Sequence, residues 1–215
     1  MKKYTDAVIA IGLIAAVLIS QVVSFFRDGD SLEHIRGNVL RLHILADSDS
    51  PRDQELKLKV RDELLESGLL SEADSLADAE EEVRGHIPEI ELLAEDVLQH
   101  NGCDKKVRAY LTEMHFDKRV YGDITMPEGD YHALRIEIGS AKGHNWWCVM
   151  YPPLCLPAAC EVTDDKEKEN DFFDEKELDI LRKPEKYEVR FAIWDKICEM
   201  KDKMVVQSDE IQPTT

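Results

Sequence analysis

The sequence has little that would support familiar chemistry. Five cysteines in 215 residues (Cys103, Cys148, Cys155, Cys160 and Cys198) are too sparse for a disulfide scaffold, and no two stand in a CxxC pair. His144, Cys148, Cys155 and Cys160 come nearest to a zinc-ligand set, but their spacings are not the short paired ones such sites use, so no metal site and no cofactor is expected. There is no G-x-S-x-G, no H-E-x-x-H and no P-loop. Basic residues are scarce: 27 Lys+Arg against 45 Asp+Glu leave a net charge of −18, which argues against nucleic acid as a partner. The same charge is repelled by anionic lipid headgroups, so any membrane attachment must come from apolar burial.

One long, strongly apolar stretch near the N-terminus is free of charge. Lys2 and Lys3 precede a run from Ala7 to Phe26 whose polar members are Ser20, Gln21 and Ser24. A short basic flank before such a run marks an export signal or a single anchor, with the lysines inside and the chain after Arg27 outside the cytoplasm. Its most apolar part, Ala7 to Ile19, has the length of a signal core, whereas a spanning helix wants about twenty residues. Both readings stand. Val22-Val23-Ser24 offers a poor cleavage site before Phe25, and membrane contact is expected through residues 7–26 alone.

The chain as a whole is 43% hydrophobic, and the part after this run has the periodicities of a folded domain. Leu40, Leu42 and Ile44 alternate with Arg41 and His43, which predicts a strand with one apolar face. Ser50, Pro51 and Asp53 then open a helix expected to end near Glu66, with Leu56, Val60 and Leu64 on one face. A second helical stripe starts near Ser71, runs through Leu76, Val83, Ile90, Ala94 and Val97, kinks or restarts at Pro88, and stops at Asn101-Gly102. Strands are expected over Lys106 to Phe116, Ala133 to Ile138 and Trp146 to Tyr151, the last two as an antiparallel hairpin. Ten acids against three lysines between Glu161 and Asp179 read as a solvated linker. After Pro184, Val189, Ile193, Ile197 and Met200 share a helical face expected to pack back on the domain.

The expected architecture is α+β: a single domain with a mainly antiparallel sheet of about four strands against helices, preceded by an export or anchor segment. Its expected boundaries are 1–27 for the signal or anchor, 28–160 for the α+β domain, 161–184 for an acidic linker and 185–215 for a C-terminal helix with a frayed tail. Two segments are unusual as plain fold elements. In Arg41 to Pro51, Arg41 and His43 share a strand face beside an acidic, cap-rich turn. In Gly143 to Cys155, adjacent Trp146 and Trp147 must point to opposite faces, so one indole can be presented to a partner. Cys148 and Cys155 flank a strand end and Pro152-Pro153 and are expected to pair after export. The alternative is a secreted thiol- or metal-dependent hydrolase using His144 and Cys148.

The strings R-L-H-I-L-A-D-S-D-S-P-R-D-Q-E-L-K-L-K-V-R-D, from Arg41 to Asp62, and N-W-W-C-V-M-Y-P-P-L-C, from Asn145 to Cys155, resemble the stage II sporulation protein R family. One departure is Asp47, where the family pattern has Asn. The resemblance implies a signalling protein, not an enzyme, made in the forespore and exported into the space between the forespore and mother-cell membranes. There it would activate a membrane-embedded aspartic protease that processes the precursor of sigma factor E. No catalytic residues come with the resemblance. Partner binding is expected at Arg41, His43, Asp47, Asp49, Asn145, Trp146 and Trp147.

Overall fold

The computed structural model describes residues 2–69, 73–152 and 172–209. Helix α1 (Lys2–Gly37) is followed by β1 (Leu40–Leu45), α2 (Pro51–Glu66), α3 (Leu76–His100) and five strands. These are β2 (Val107–Phe116), β3 (Arg119–Tyr121), β4 (Ile124–Met126), β5 (Gly129–Ile138) and β6 (Asn145–Tyr151). Helix α4 (Glu175–Arg182), a 3-10 turn (Pro184–Lys186) and α5 (Glu188–Asp209) complete the order. The chain divides into two units, residues 35–182 and residues 1–34 with 183–215.

Within the first unit a four-stranded sheet has the order β2-β5-β1-β6, and β3 and β4 form a separate pair. The fold is α+β as expected, with antiparallel pairing at β2/β5 and β1/β6 and a parallel β1/β5 pair at the centre. The expected hairpin of β5 and β6 does not form, because β1 lies between them. The connection 139–144 instead crosses the end of β1, which is why it is longer than a tight hairpin needs.

Leu40, Leu42 and Ile44 face α2 and α3 in a core with Leu56, Val60, Leu64, Val83, Ile90, Ala94, Leu98, Leu134 and Ile136. Contrary to the one-faced expectation, all six residues of β1 are buried, since a central strand is covered on both sides. Helix α2 begins as expected at Ser50, whose Oγ accepts from the Asp53 N–H at 3.1 Å. Helix α3 starts at Ser75 rather than Ser71 and runs through Pro88 without a break. Its end is closed by Gly102 in the left-handed region and by Cys103 N–H donating to the Leu98 carbonyl at 2.9 Å. Glu91 and Glu95, one turn apart on α3, accept from the Ala109 and Val107 N–H groups at 2.8 and 3.2 Å and so occupy donors on the β2 edge.

The acidic run lies outside the described residues as far as 171, but its last part folds. Asp174 and Glu177 cap each other's N–H groups at 2.9 and 2.8 Å, and Leu178, Ile180 and Leu181 of α4 are buried. Burial of Leu178, Ile180 and Leu181 outweighs the charge of the sequence around them.

In the second unit the expectation for α5 is corrected. The face made by Val189, Ile193, Ile197 and Met200 is exposed, and the helix packs on α1 through Arg190 and Trp194 instead. In a helix with apolar residues on two sides, periodicity alone does not say which side is covered.

Candidate functional site

The two unusual segments come together. Strand β6 pairs along β1, with Leu45 opposite Asn145, Ile44 opposite Trp146 and His43 opposite Trp147. Beyond the strands the loops interlock. Lys142 and Gly143 N–H groups donate to the carbonyls of Asp47 and Ala46 at 3.2 and 2.9 Å. Asp47 Oδ1 accepts from Ser140 N–H at 2.6 Å, and the Ser140 hydroxyl donates to the Asp47 carbonyl at 2.9 Å. Asp49 accepts the His144 N–H at 2.6 Å and also meets its Nδ1. From α2, Lys57 Nζ donates to the His144 carbonyl at 2.9 Å and Gln54 Nε2 to the Ser48 carbonyl at 3.0 Å.

Two glycines make this closeness possible. A Cβ on Gly143 would overlap the Ser48 carbonyl, and one on Gly139, which has φ +59°, would overlap the Asp47 carboxylate. Lys105 Nζ bridges Asp47 and Asp53, each at 2.7 Å. Its hydrogen bond holds both carboxyls below the usual range, Asp53 at about 2 with help from Ser48, and Asp47 with help from the Ser140 N–H. Asp49 is lowered by the His144 N–H, while burial lowers Lys57. Asp47 therefore acts as an acceptor and a charge; an Asn there would keep the bond from Ser140 and lose the ion pair.

The two tryptophans point to opposite faces as expected. Trp146 packs against the helical core, with the Arg61 guanidinium 4.3 Å from its ring centre. Trp147, half-buried on the other face, stacks on His43 at 4.2 Å and meets Phe116 edge-on at 4.6 Å, with Arg119 at 5.7 Å. Arg41 and His43 share this face, but neither is at the surface: they are 0% and 2% exposed. Arg41 donates to the Tyr121 hydroxyl at 2.6 Å and lies over Phe116, Tyr131 and Tyr121 at 4.2, 5.0 and 5.7 Å. Aromatic faces stand where a carboxylate would otherwise be expected, and burial lowers its pKa. His43 has no hydrogen-bond partner at either ring nitrogen; desolvation, reinforced by Arg135, lowers its pKa to about 4, which keeps it neutral.

Seven site residues thus separate into supports and rim. Arg41 and His43 are buried, Trp146 and Trp147 are half-buried on opposite faces of β6, Asp47 ties the loops, Asn145 is partly exposed and Asp49 is exposed. Sequence reasoning missed Gln54 and Lys57, although both stand in the Arg41–Asp62 string, and Lys105 and Ser140, for which no motif gave a signal.

The thiol form of the hydrolase alternative loses its nucleophile, because Cys148 is disulfide-bonded. Its expected partner Cys155 lies outside the described residues. Among the described residues no group of three or more His, Cys, Asp or Glu side chains could hold a metal ion.

No solved structure matches this chain. A curated relative, stage II sporulation protein R of Bacillus subtilis (strain 168), is 31% identical over 159 residues, covering 71% of each chain. The family model for stage II sporulation protein R matches residues 36–161, a span that takes in both interlocked segments. The chain belongs to the stage II sporulation protein R family.

Proposed function

We propose that this protein is an exported sporulation signal that leaves the forespore for the intermembrane space and there activates a membrane-embedded aspartic protease of the mother cell, which processes the precursor of sigma factor E. One observation carries the reading: the two segments that bear the family resemblance are far apart in sequence yet lie side by side as β1 and β6, and the turns next to them are tied by backbone and side-chain bonds between 46–49 and 140–144. Hydrogen bonds and glycine contacts of this density hold a surface in one shape, which lowers the ordering cost of docking. The rim residues Asp49, Asn145 and Trp147 are the contact surface in this reading, with Arg41 and His43 acting from beneath through Phe116 and Trp147. The apolar α1 supports export, and family membership supports the sporulation role.

The test is co-expression of the full chain with the candidate protease and the sigma-factor precursor in a non-sporulating host. Processing is expected only when all three are present. Trp147→Ala in a chain shown to remain folded should weaken the complex by about 2 kcal/mol, roughly thirty-fold, as a central aromatic anchor does. Processing without the protease, or none with all three present, would overturn the reading.

A further inference from the structure

Helices α1 and α5 form a unit whose contacts bear on the fate of the N-terminus. Val8–Gly37 contains a stretch long and apolar enough to cross a membrane, and that stretch is wholly unburied. At the C-terminal end of that stretch and just past it, α5 is fastened to α1 by a specific set of side chains. The Arg190 guanidinium pairs with Asp28, a carboxylate only 1% exposed, and reaches Ser24 Oγ at 3.1 Å and Gln21 Oε1 at 3.3 Å. The Trp194 indole lies on Gly29, where any Cβ would overlap it, between the rings of Phe25 and Phe26 at 5.9 and 6.0 Å, and its Nε1 donates to Glu33 at 3.2 Å. This strip, Gln21 to Glu33, straddles the weak cleavage site before Phe25. A cut there would remove two of the three groups that hold Arg190.

Among the described residues nothing covers a second side of α5. Val189, Ile193, Ile197 and Met200 recur at four, four and three residues and are 74%, 49%, 38% and 55% exposed. Lys196 and Lys203 border this stripe, Lys203 paired with Glu199 at 2.6 Å, and Asp195 lies farther round. On α1, Val22, Val23 and Phe26 are also exposed. An exposed apolar stripe flanked by lysines, in the same unit as a membrane-length apolar helix, with an indole and ion pairs at the end of that helix, has the residue distribution of a membrane interface.

We propose that α1 is retained after export as the membrane anchor, and that α5, docked on its outer end, lays the Val189–Met200 stripe into the acyl boundary of the same bilayer. The signal would then act while tethered, whatever protein receives it.

The full chain, expressed with its own N-terminus in a bacterial host, decides the first part by intact mass. A membrane-bound polypeptide that resists alkaline carbonate and retains residues 2–27 is expected; a soluble product beginning between residues 20 and 28 overturns the anchor. The second part is read by placing a diazirine amino acid at Ile193 or Asp195 of the membrane-bound chain. Lipid adducts several-fold more abundant at 193 are expected. Equal adducts at both positions, or crosslinks at 193 to a second copy of the chain in place of lipid, overturn the lipid contact. Neither readout involves the protease, so loss of receptor activation and loss of anchoring are separate results.

Discussion

His43 gives the sheet domain a measurable sensitivity to mild acid. Its ring is 2% exposed, stacked on Trp147, without a hydrogen bond, and titrates at about 4 because burial removes the solvation of the imidazolium. Arg135, Arg41 and Lys57 add repulsion, and Glu137 offsets part of it. In the unfolded chain the same group titrates near 6.5, so between pH 6.5 and 4 the unfolded state binds more protons than the folded one, and stability falls as pH falls through that window. The interval corresponds to up to about 3 kcal/mol, with the full contribution present above pH 6.5. Replacing His43 by Phe keeps an aromatic ring against Trp147 and removes two unpartnered nitrogens, which should be close to neutral at pH 7.5. Urea unfolding of the full chain in detergent, followed by tryptophan fluorescence at pH 7.5, 6.0, 5.0 and 4.5, should show a loss in the parent that is largely absent in H43F. Contributions common to both proteins cancel in the difference. A pH slope between 6.5 and 4.5 unchanged by H43F would refute the reasoning, as would a ring titration of His43 near 6.5 by NMR.

Four further outcomes are expected. Gly143→Ala and Gly139→Ala should each lower the urea midpoint by an amount equivalent to about 1–3 kcal/mol, because the new methyl meets the Ser48 carbonyl or the Asp47 carboxylate; unchanged midpoints would show that the loops yield. Asp47→Asn should cost less than about 1 kcal/mol, since an amide oxygen still accepts from Ser140 and only a partly exposed ion pair is lost, whereas Asp47→Ala should cost more in the same assay. Removing Glu91 and Glu95 together should free the Val107 and Ala109 donors and give concentration-dependent association by sedimentation, and a strictly monomeric double variant would discount edge protection. Mass analysis of alkylated exported protein should find Cys148 bridged to Cys155, closing a short loop worth on the order of 2–3 kcal/mol in the chain-entropy model; a bridge from Cys148 to another cysteine would correct the pairing.

What was legible in the sequence follows how local each determinant is. The start of α2 could be read because Ser50, Pro51 and Asp53 act within one turn, and the opposed tryptophans because strand geometry leaves no other choice. The β5–β1–β6 order was not legible. Ala133–Ile138 and Trp146–Tyr151 look like the arms of a hairpin, and only the parallel pairing of Leu40–Leu45 with β5 excludes it. The short pair β3 and β4 escaped notice because three-residue strands carry too little periodicity, yet Tyr121 on β3 supplies the one hydroxyl that Arg41 meets.

The same limit misplaced Arg41 and His43. Alternation with leucines put them on the second face of the strand, which is correct, and polarity suggested that this face meets solvent, which is not. Burial on that side comes from Phe116, Tyr121, Tyr131 and Trp147, residues 73 to 104 positions beyond His43 in the chain, brought in by β2, β3, β5 and β6. Once these rings are in place, the two polar residues change role. A buried guanidinium held by aromatic faces and a neutral imidazole under an indole fix the height and tilt of Trp147, itself half-buried. Substitution at Arg41 or His43 therefore acts on any partner through the position of Trp147, and a binding defect there should be accompanied by a change in tryptophan fluorescence of the free protein, whereas one at Asp49 should not.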